Sequence, residues 1–227
     1  MYRYETHSHT FPVSRCAKVS AQETVRFYKK KGYDGIFITN HFIEGITVGT
    51  EKMSYEQKIE VYFSDYEEAL REGKRLEIKV FCGIETTNGG TDFLVYGLGK
   101  EWYLRHPEID NMIMSQRLSF FKEHGALIIQ AHPFREAGYI DHIRLYPRHI
   151  EGVEVINANR TEFENEMARM YAEKYGLLGF AGSDNHTAGK QRFLAGMQTE
   201  RPVNSEKEFV EAVRKGQAEI FTLDNEQ

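Results

Sequence analysis

The sequence predicts an α/β barrel, and two observations carry this prediction. Strand-like apolar runs alternate with helix-like segments along the chain, which is typical of a parallel sheet. Histidines and acids follow these runs at positions from residue 7 to residue 186. Because the strand ends of a closed barrel face one mouth, a barrel would gather these side chains, whereas an open sheet would spread them along a line. No repeat and no linker rich in Pro, Gly or Ser divides the chain, so we expect one domain over residues 1–227.

The local signals place each element in order. The predicted strands lie at about residues 2–6, 34–39, 76–84, 92–97, 126–131, 151–156, 177–182, 195–199 and 218–223. The predicted helices lie at 20–31, 54–73, 111–124, 161–175 and 205–216. Ser20 and Glu23 have the spacing of a capping box, and a glycine after a cationic last turn, Gly32, ends the first helix. A long loop at 43–53 precedes the second helix, which is expected to end at Gly73. A turn at Asn88-Gly89-Gly90 separates the third and fourth strands.

Composition excludes several classes of protein. Hydrophobic residues make up 41% of the chain, which is ample for a packed core. The net charge of -5 argues against a broad nucleic-acid-binding face. The N-terminus has no apolar region of a signal peptide, and no apolar run is long enough to span a membrane. Two cysteines do not make a disulfide framework, so we expect a cytoplasmic protein.

Five short motifs carry side chains that can bind metals, and strand-like runs precede four of them. The motifs are His7-Ser8-His9, Asn40-His41, Gly83-Ile84-Glu85, Ala131-His132-Pro133 and Ser183-Asp184-Asn185-His186. Neutral imidazoles and carboxylates are the usual ligands of catalytic zinc, manganese and iron. The sequence therefore predicts one metal centre built from residues far apart in the chain.

The spacing inside these motifs has a physical meaning. Residues i and i+2 of a strand project from the same face about 6.5 Å apart. His7 and His9 can therefore reach one ion, and so can Asp184 and His186. Glu85, at the end of a strand, can bridge two ions by giving one oxygen to each. Two ions about 3.5–4 Å apart are a standard device for phosphate ester hydrolysis.

Each motif alone also has a structural explanation. A His-x-His pair recurs by chance, the histidine of Ala-His-Pro can occupy a turn, and Asp184 can cap the segment after it. The metal interpretation depends on coincidence, since five of the nine histidines follow strands. The remaining histidines are expected to lie outside the site; they are His106, His124, His142 and His149.

The order of these motifs resembles the PHP family, named for polymerase and histidinol phosphatase. The segments Ala131-His132-Pro133-Phe134 and Gly182-Ser183-Asp184-Asn185-His186 are the most specific to it, and the resemblance covers essentially the whole chain. It implies a distorted (β/α)7 TIM-like barrel with two or three divalent metal ions (Zn, Mn or Fe) at its mouth. It also implies hydrolysis of a phosphomonoester or phosphodiester.

The resemblance also implies roles for individual residues. One metal would take His7, His9, Glu85 and Asp184. A second would take bridging Glu85, His132 and a residue from the next strand, which here is Asp92 where the family commonly has histidine. The alternative for Asp92 is an ordinary residue at the start of a strand.

A third metal would use His41, His186 and an acid or histidine of the first loop. That loop contains Pro12, Arg15 and Cys16 but no acid. We therefore expect two firmly bound ions and a third that binds weakly or not at all. Cys16 could substitute as a ligand only when deprotonated, and a soft thiolate would favour zinc over manganese.

The predicted activity is hydrolysis of a small phosphorylated substrate by a metal-activated hydroxide. Arg135 and Arg160 are candidates to bind the phosphate, with Arg15 and Lys18 as weaker ones, and each could equally be a solvated surface charge. Asp184 is a candidate to relay a proton. Two alternatives stay open: a metal-dependent C–N hydrolase of amidohydrolase type, and a regulatory PHP module without catalysis.

Overall fold

The computed structural model describes residues 1–43 and 52–225. The strands are β1 (Tyr2–Glu5), β2 (Gly35–Ile38), β3 (Lys79–Asn88), β4 (Thr91–Tyr96), β5 (Leu127–Ala131), β6 (Gly152–Asn157), β7 (Leu178–Gly182), β8 (Phe193–Thr199) and β9 (Ala218–Asp224). The helices are α1 (Ala21–Lys30), α2 (Tyr55–Leu76), α3 (Lys100–Arg105), α4 (Met114–Glu123), α5 (Glu162–Tyr175) and α6 (Glu206–Arg214), and a 3-10 turn spans Pro107–Asn111. The loop predicted at 43–53 lies largely outside the described residues.

Strands β1 to β7 form a nearly closed barrel, as the sequence predicts. The strand order is β7-β6-β5-β4-β3-β2-β1-β8-β9. The chain after β7 returns to the chain after β1, where Asn185 N donates to His7 O at 3.2 Å and His9 N donates to Asn185 O at 3.0 Å. These bonds join the two ends of the seven-stranded sheet at its mouth. Strand β8 pairs antiparallel with β1, and β9 pairs antiparallel with β8.

Within the barrel, the expectation of a parallel sheet is wrong at β4. This strand pairs antiparallel with both β3 and β5, while β1–β2, β2–β3, β5–β6 and β6–β7 are parallel. The cause is the turn at Asn88-Gly89-Gly90, where both glycines have positive φ values of 57° and 84°. Such angles suit a tight hairpin, so the chain reverses here without a crossover helix.

Alternation along the strands separates the barrel interior from the layer under the helices. On β2, Ile36 and Ile38 pack towards helix α1, whereas Phe37 points into the barrel. Phe209 of α6 enters the same interior cluster, with its ring centroid 4.6 Å from that of Phe37 and 6.2 Å from that of Phe180. Aromatic packing therefore fills the barrel away from the mouth and leaves the mouth for polar side chains.

Two helix predictions need correction. Helix α2 continues past Gly73 to Leu76, and Glu77 ends it in the left-handed conformation at φ 55°. Gly73 is needed for close packing instead, because a Cβ atom there would lie 2.5 Å from Val80 Cγ2. The helix predicted at 111–124 begins at Met114, and the short helix α3 before it was not predicted. Buried Tyr103 holds α3 by tertiary packing, a signal that local propensity does not carry.

Across the described ranges, no helix has the length and apolar character needed to cross a membrane.

Candidate metal centre

Seven of the eight side chains predicted to bind metal come together at the mouth of the barrel. Together with Cys16 they form three overlapping groups, and within each group the candidate ligand atoms lie within 4.8 Å of one another: His7, Glu85 and His132; His7, His9 and Asp184; and His9, Cys16, His41 and His186. The eighth predicted ligand, Asp92, is in none of these groups.

The barrel explains this convergence. His7 and His9 follow β1, His132 follows β5, and Asp184 follows β7, so parallel strands deliver them at the same end. Glu85 lies within β3 and not at its end as expected, because β3 continues to pair with β4 as far as Asn88. Its side chain still reaches the mouth, since β3 extends beyond its neighbour β2.

Glu85 lies at the centre of the histidines. Its Oε1 is 3.2 Å from His7 Nε2 and 3.3 Å from His132 Nε2. Its Oε2 is 3.3 Å from His9 Nε2 and 2.8 Å from His41 Nδ1. The side chain is fully buried, and within the described residues neither oxygen has a hydrogen-bond partner of acceptable geometry. Burying a carboxylate without well-formed hydrogen bonds costs free energy. Divalent ions between Glu85 and the imidazoles would satisfy both of its oxygens. The donor set therefore fits a multinuclear site.

Asp184 contacts three of the histidines at the mouth. Its Oδ1 lies 3.6 Å from His7 Nε2, 3.4 Å from His9 Nε2 and 3.5 Å from His186 Nδ1. Asp184 and His132 both have positive φ values, 51° and 25°. Such conformations are uncommon outside glycine and concentrate at functional sites, where the surrounding structure holds them.

The local electrostatics of the metal-free site are mixed. Burial would lower the pKa values of His7, His41 and His186, but nearby carboxylates, joined at His41 and His186 by the Cys16 sulfur, raise all three, so these imidazoles must release a proton when they bind a metal. Burial would raise the pKa of Glu85, but His41 and His7 outweigh burial and hold that pKa well below its usual range. Burial, reinforced by His186 and His41, lowers the pKa of His9 to about 3. An ionised Glu85 and a neutral His9 are the protonation states that ligate metals.

Glu154 on β6 is a functional candidate that the sequence analysis missed. Its Oε1 lies 2.8 Å from His7 Nδ1, and its Oε2 accepts from the backbone N–H of His132 at 3.1 Å and from Asn157 Nδ2 at 2.8 Å. A carboxylate accepts hydrogen bonds, so His7 donates from Nδ1 and keeps its Nε2 lone pair for the centre. A signal was present, because a glutamate inside the apolar run Gly152–Asn157 must have a buried partner.

Asp92 occupies a position between the centre and an arginine. Its Oδ2 is 3.8 Å from His132 Nε2 but only 2.9 Å from Arg135 Nη2. The side chain is buried, and its Oδ1 has no hydrogen-bond partner in the described part of the chain. The geometry therefore gives Asp92 a contact with Arg135 that the sequence did not suggest.

The centre opens into a cavity of about 380 Å³. It is lined by Cys16, His41, Glu85, His132, Arg135, Ala137, Tyr139, Asn159, Arg160, Asp184 and His186. Arg135 and Arg160 thus line the same cavity as the candidate ligands, and their role in binding phosphate stays a prediction. Arg15 and Lys18 are exposed and are not among the residues that line this cavity.

The first loop brings Cys16, the substitute ligand considered in the sequence analysis, to the mouth. Asn40 accepts from Thr10 N at 2.7 Å and from the Ser14 hydroxyl at 2.9 Å, which fixes the path of this loop. Cys16 then reaches the group around His186. Burial would raise the pKa of the Cys16 thiol, but hydrogen bonds with His186 and His41 lower it to about 6.

The histidines expected to lie outside the site do so. His124 Nδ1 lies 2.8 Å from Phe120 O at the end of α4, and His106 Nδ1 lies 2.9 Å from Glu108 Oε1. His142 contacts Arg144, and His149 contacts Ser119.

A family model described as PHP-associated matches residues 162–191, a segment that contains Asp184 and His186. No curated protein matches the chain.

Solved structures share the fold. A two-domain protein from Bacteroides vulgatus, described as containing a predicted PHP-like metal-dependent phosphoesterase, aligns with a TM-score of 0.70 at 18% identity over 97% of this chain; the chain spans 64% of that protein's length. A proposed metal-dependent phosphoesterase from Bifidobacterium adolescentis aligns with a TM-score of 0.55 at 14% identity, covering 83% of this chain and 89% of that one. An amidohydrolase from Chromobacterium violaceum, solved with bound sulfate, aligns with a TM-score of 0.54 at 12% identity over 99% of both chains. The family match and the fold shared over nearly the whole chain together confirm the predicted resemblance to the PHP family.

Proposed function

We propose that this protein is a metal-dependent hydrolase of small phosphate esters. The observation that carries the proposal is the fully buried Glu85, whose two oxygens face four histidine nitrogens at 2.8–3.3 Å. This arrangement fits a carboxylate that bridges two divalent ions. Bound ions would supply an activated water as nucleophile and would stabilise charge on the phosphoryl oxygens.

The ligand sets follow from the geometry of the mouth. One ion would be held by His7, His9, Glu85 and Asp184. A second would be held by Glu85 and His132, with Asp92 within reach on the far side. A third position would use His41 and His186.

The chain's own residues would orient the substrate. Arg135 and Arg160 both line the cavity, and in each the buried Nε has no hydrogen-bond partner among the residues described. Arg135 is held in place by Asp92 and by a hydrogen bond from Nη2 to Gly90 O at 3.2 Å. Guanidinium groups can bind phosphate oxygens through two parallel hydrogen bonds. We assign them to the non-bridging oxygens of the substrate.

Asp184 would relay a proton during turnover. It lines the cavity as well as contacting the histidines. Burial would raise its pKa, but His7 and the hydrogen bond with His9 hold the pKa well below its usual range. Because this low pKa keeps Asp184 ionised, its carboxylate would orient the nucleophilic water by accepting a hydrogen bond and would relay the proton rather than retain it.

A cavity of about 380 Å³ is in the range of small-molecule sites. The proposed substrate is accordingly a small phosphorylated molecule, and the natural ester is left to a screen. That screen measures release of phosphate or alcohol from a panel of monoesters and diesters, with Mn²⁺, Zn²⁺ or Fe²⁺ added to metal-depleted protein. The Glu85→Gln protein, purified in parallel, measures contaminating phosphatase. Metal-dependent turnover that the variant lacks supports the proposal, and equal turnover in both proteins contradicts it.

Hydrolysis of a carbon–nitrogen bond is the second candidate. It is favoured by the likeness to the Chromobacterium violaceum amidohydrolase, since nothing in the ligand set selects phosphorus over carbon. The two arginines in the cavity favour an anionic ester over an amide. An amide and lactam panel run under the same metal conditions separates the two. Tight metal binding without turnover on either panel would favour an accessory, non-catalytic module.

A further inference from the structure

The thiol of the first loop faces the metal-binding mouth. Cys16 Sγ and one ring nitrogen each of His9, His41 and His186 lie within 4.8 Å of one another. The buried Nδ1 of His41 lies 2.8 Å from Glu85 Oε2, without a hydrogen bond of acceptable geometry among the residues described. The group offers three imidazoles and one sulfur, which are donor types that bind zinc.

The two metal positions that His7, His9, Glu85, Asp184 and His132 would hold are called the inner positions. The position beside Cys16, His41 and His186 is called the outer position. His186 Nδ1 faces the carbonyl oxygen of Asp184 at 2.8 Å, so His186 keeps Nε2 free. His9 Nε2 also lies 3.3 Å from Glu85 Oε2 and is shared with the inner positions. Cys16 and His186 are therefore donors that the inner positions do not need.

The loop holds Cys16 in this position from both sides. After it, Lys18 N donates to His186 O at 2.8 Å, which ties the loop directly to a candidate ligand. Before it, the Ser14 hydroxyl donates to Asn40 Oδ1 at 2.9 Å, and Ser14 O accepts from Ala17 N at 3.1 Å. The sulfur is thus preorganised beside the imidazoles, although Cys16 itself remains exposed to solvent and to an incoming ion.

A thiolate at Cys16 would supply a negative charge that the first loop otherwise lacks. Residues 10–19 contain no acid, so His41 and His186 alone would bring no negative charge to the outer position. We propose that Cys16 is a thiolate ligand, with His41 and His186, of a divalent ion, and that this outer position selects borderline metals such as Zn²⁺ or Co²⁺ over Mn²⁺ and Mg²⁺. Soft thiolates prefer such metals, whereas carboxylate and water ligands suit manganese and magnesium. The inference rests on the proposed metal centre but not on the reaction that it catalyses.

Cys16 does not take part in a disulfide bond. The chain has two cysteines, and both are free. Cys82 is buried in β3, where its Sγ lies 3.7 Å from Leu98 O. Cys82 therefore provides a matched control for any thiol signal.

The test is a cobalt titration of metal-depleted protein followed by absorption spectroscopy. We expect a near-ultraviolet sulfur-to-cobalt charge-transfer band, which reports a Co–S bond directly. Cys16→Ser should abolish this band and lower bound Co²⁺ by one ion per chain, while Cys82→Ala should keep both. An excess of Mn²⁺ should displace cobalt from the inner positions before the charge-transfer band is lost.

The possible failures are distinguishable. Cobalt that binds without the band, or a band that persists in Cys16→Ser, overturns the thiolate ligand and leaves the proposed centre intact. Absence of cobalt binding altogether overturns both. Thermal unfolding of the metal-free variants verifies that Cys16→Ser is folded, as expected for an exposed side chain.

Discussion

Among single residues, Glu85 links the proposed metal positions because its two oxygens face different histidines. In Glu85→Gln, one oxygen becomes an NH₂ donor that cannot ligate, so we expect both inner ions to be lost together. His132→Ala should empty mainly one position. Metal content per chain after dialysis checks this, with the exposed Glu123→Gln as control. Full metal retention in Glu85→Gln would show that this carboxylate does not bridge.

Glu154 acts one step further from the ions, through His7. Glu154→Gln places an amide NH₂ group where three donors converge, so either His7 or the pair His132 N and Asn157 Nδ2 loses its acceptor. Loss of such an outer partner typically weakens metal affinity about 10- to 100-fold. Competition titration with a chromogenic chelator measures this, and Glu166→Gln on the exposed face of α5 is the control. A purely structural role would lower the stability of the metal-free protein while leaving its metal affinity unchanged.

Substitutions of Arg135 and Arg160 distinguish substrate binding from metal binding. Hydrogen bonds to charged groups contribute about 1.5–3 kcal/mol, so each Arg→Ala change should lower kcat/KM for a phosphoester about 10- to 100-fold with unchanged metal content. Lysine should restore only part of the loss, because it lacks the planar fork. Steady-state kinetics beside elemental analysis provides the measurement, with the exposed Arg169→Ala as control. Wild-type kinetics in both alanine variants would make these arginines ordinary surface charges.

At the scale of elements, helix α2 shows packing overriding propensity. Alanine is favoured over glycine inside a helix by about 1 kcal/mol, yet a Cβ atom at Gly73 would lie 2.5 Å from Val80 Cγ2 and 2.8 Å from Ile78 O. We expect Gly73→Ala to lower the free energy of unfolding by about 1–3 kcal/mol, as overpacked sites do. Gly138→Ala, where the added atom meets nothing within 4 Å, should be near neutral. Denaturant unfolding compares the two, and a stabilised Gly73→Ala protein would contradict the packing argument.

The same contrast explains which elements the sequence could predict. The starts of helices with their own side-chain caps, such as α1 with Ser20 and Glu23, were located within one residue. Helix α3 has no side-chain cap and depends on the burial of Tyr103, so only tertiary structure reveals it. The candidate metal-binding motifs could be found because their spacing is local. Glu154 could not be paired with His7 beforehand, since 147 residues separate them and only the barrel brings them together.

At the scale of the whole molecule, the proposed centre joins distant parts of one sheet. Its candidate ligands follow β1, β2, β5 and β7 or lie within β3, so bound ions would cross-link strand ends around the mouth. The opposite part of the barrel interior is held by aromatic packing around Phe209 and needs no metal. The fold should therefore persist without metal but gain stability when metal binds.

The expected size of this gain follows from binding linkage. An ion present at about 1,000 times its dissociation constant stabilises the folded state by about 4 kcal/mol. For a chain of 227 residues, each kcal/mol raises Tm by about 2–4 °C, so each tightly bound ion should raise Tm by about 8–16 °C. Calorimetry of chelator-treated protein, before and after adding back Zn²⁺ or Mn²⁺, measures the shift. Glu85→Gln should show a much smaller rise because it lacks the shared ligand. An equal rise in both proteins would place the stabilising ions elsewhere on the molecule, and the barrel mouth would then not be the metal centre.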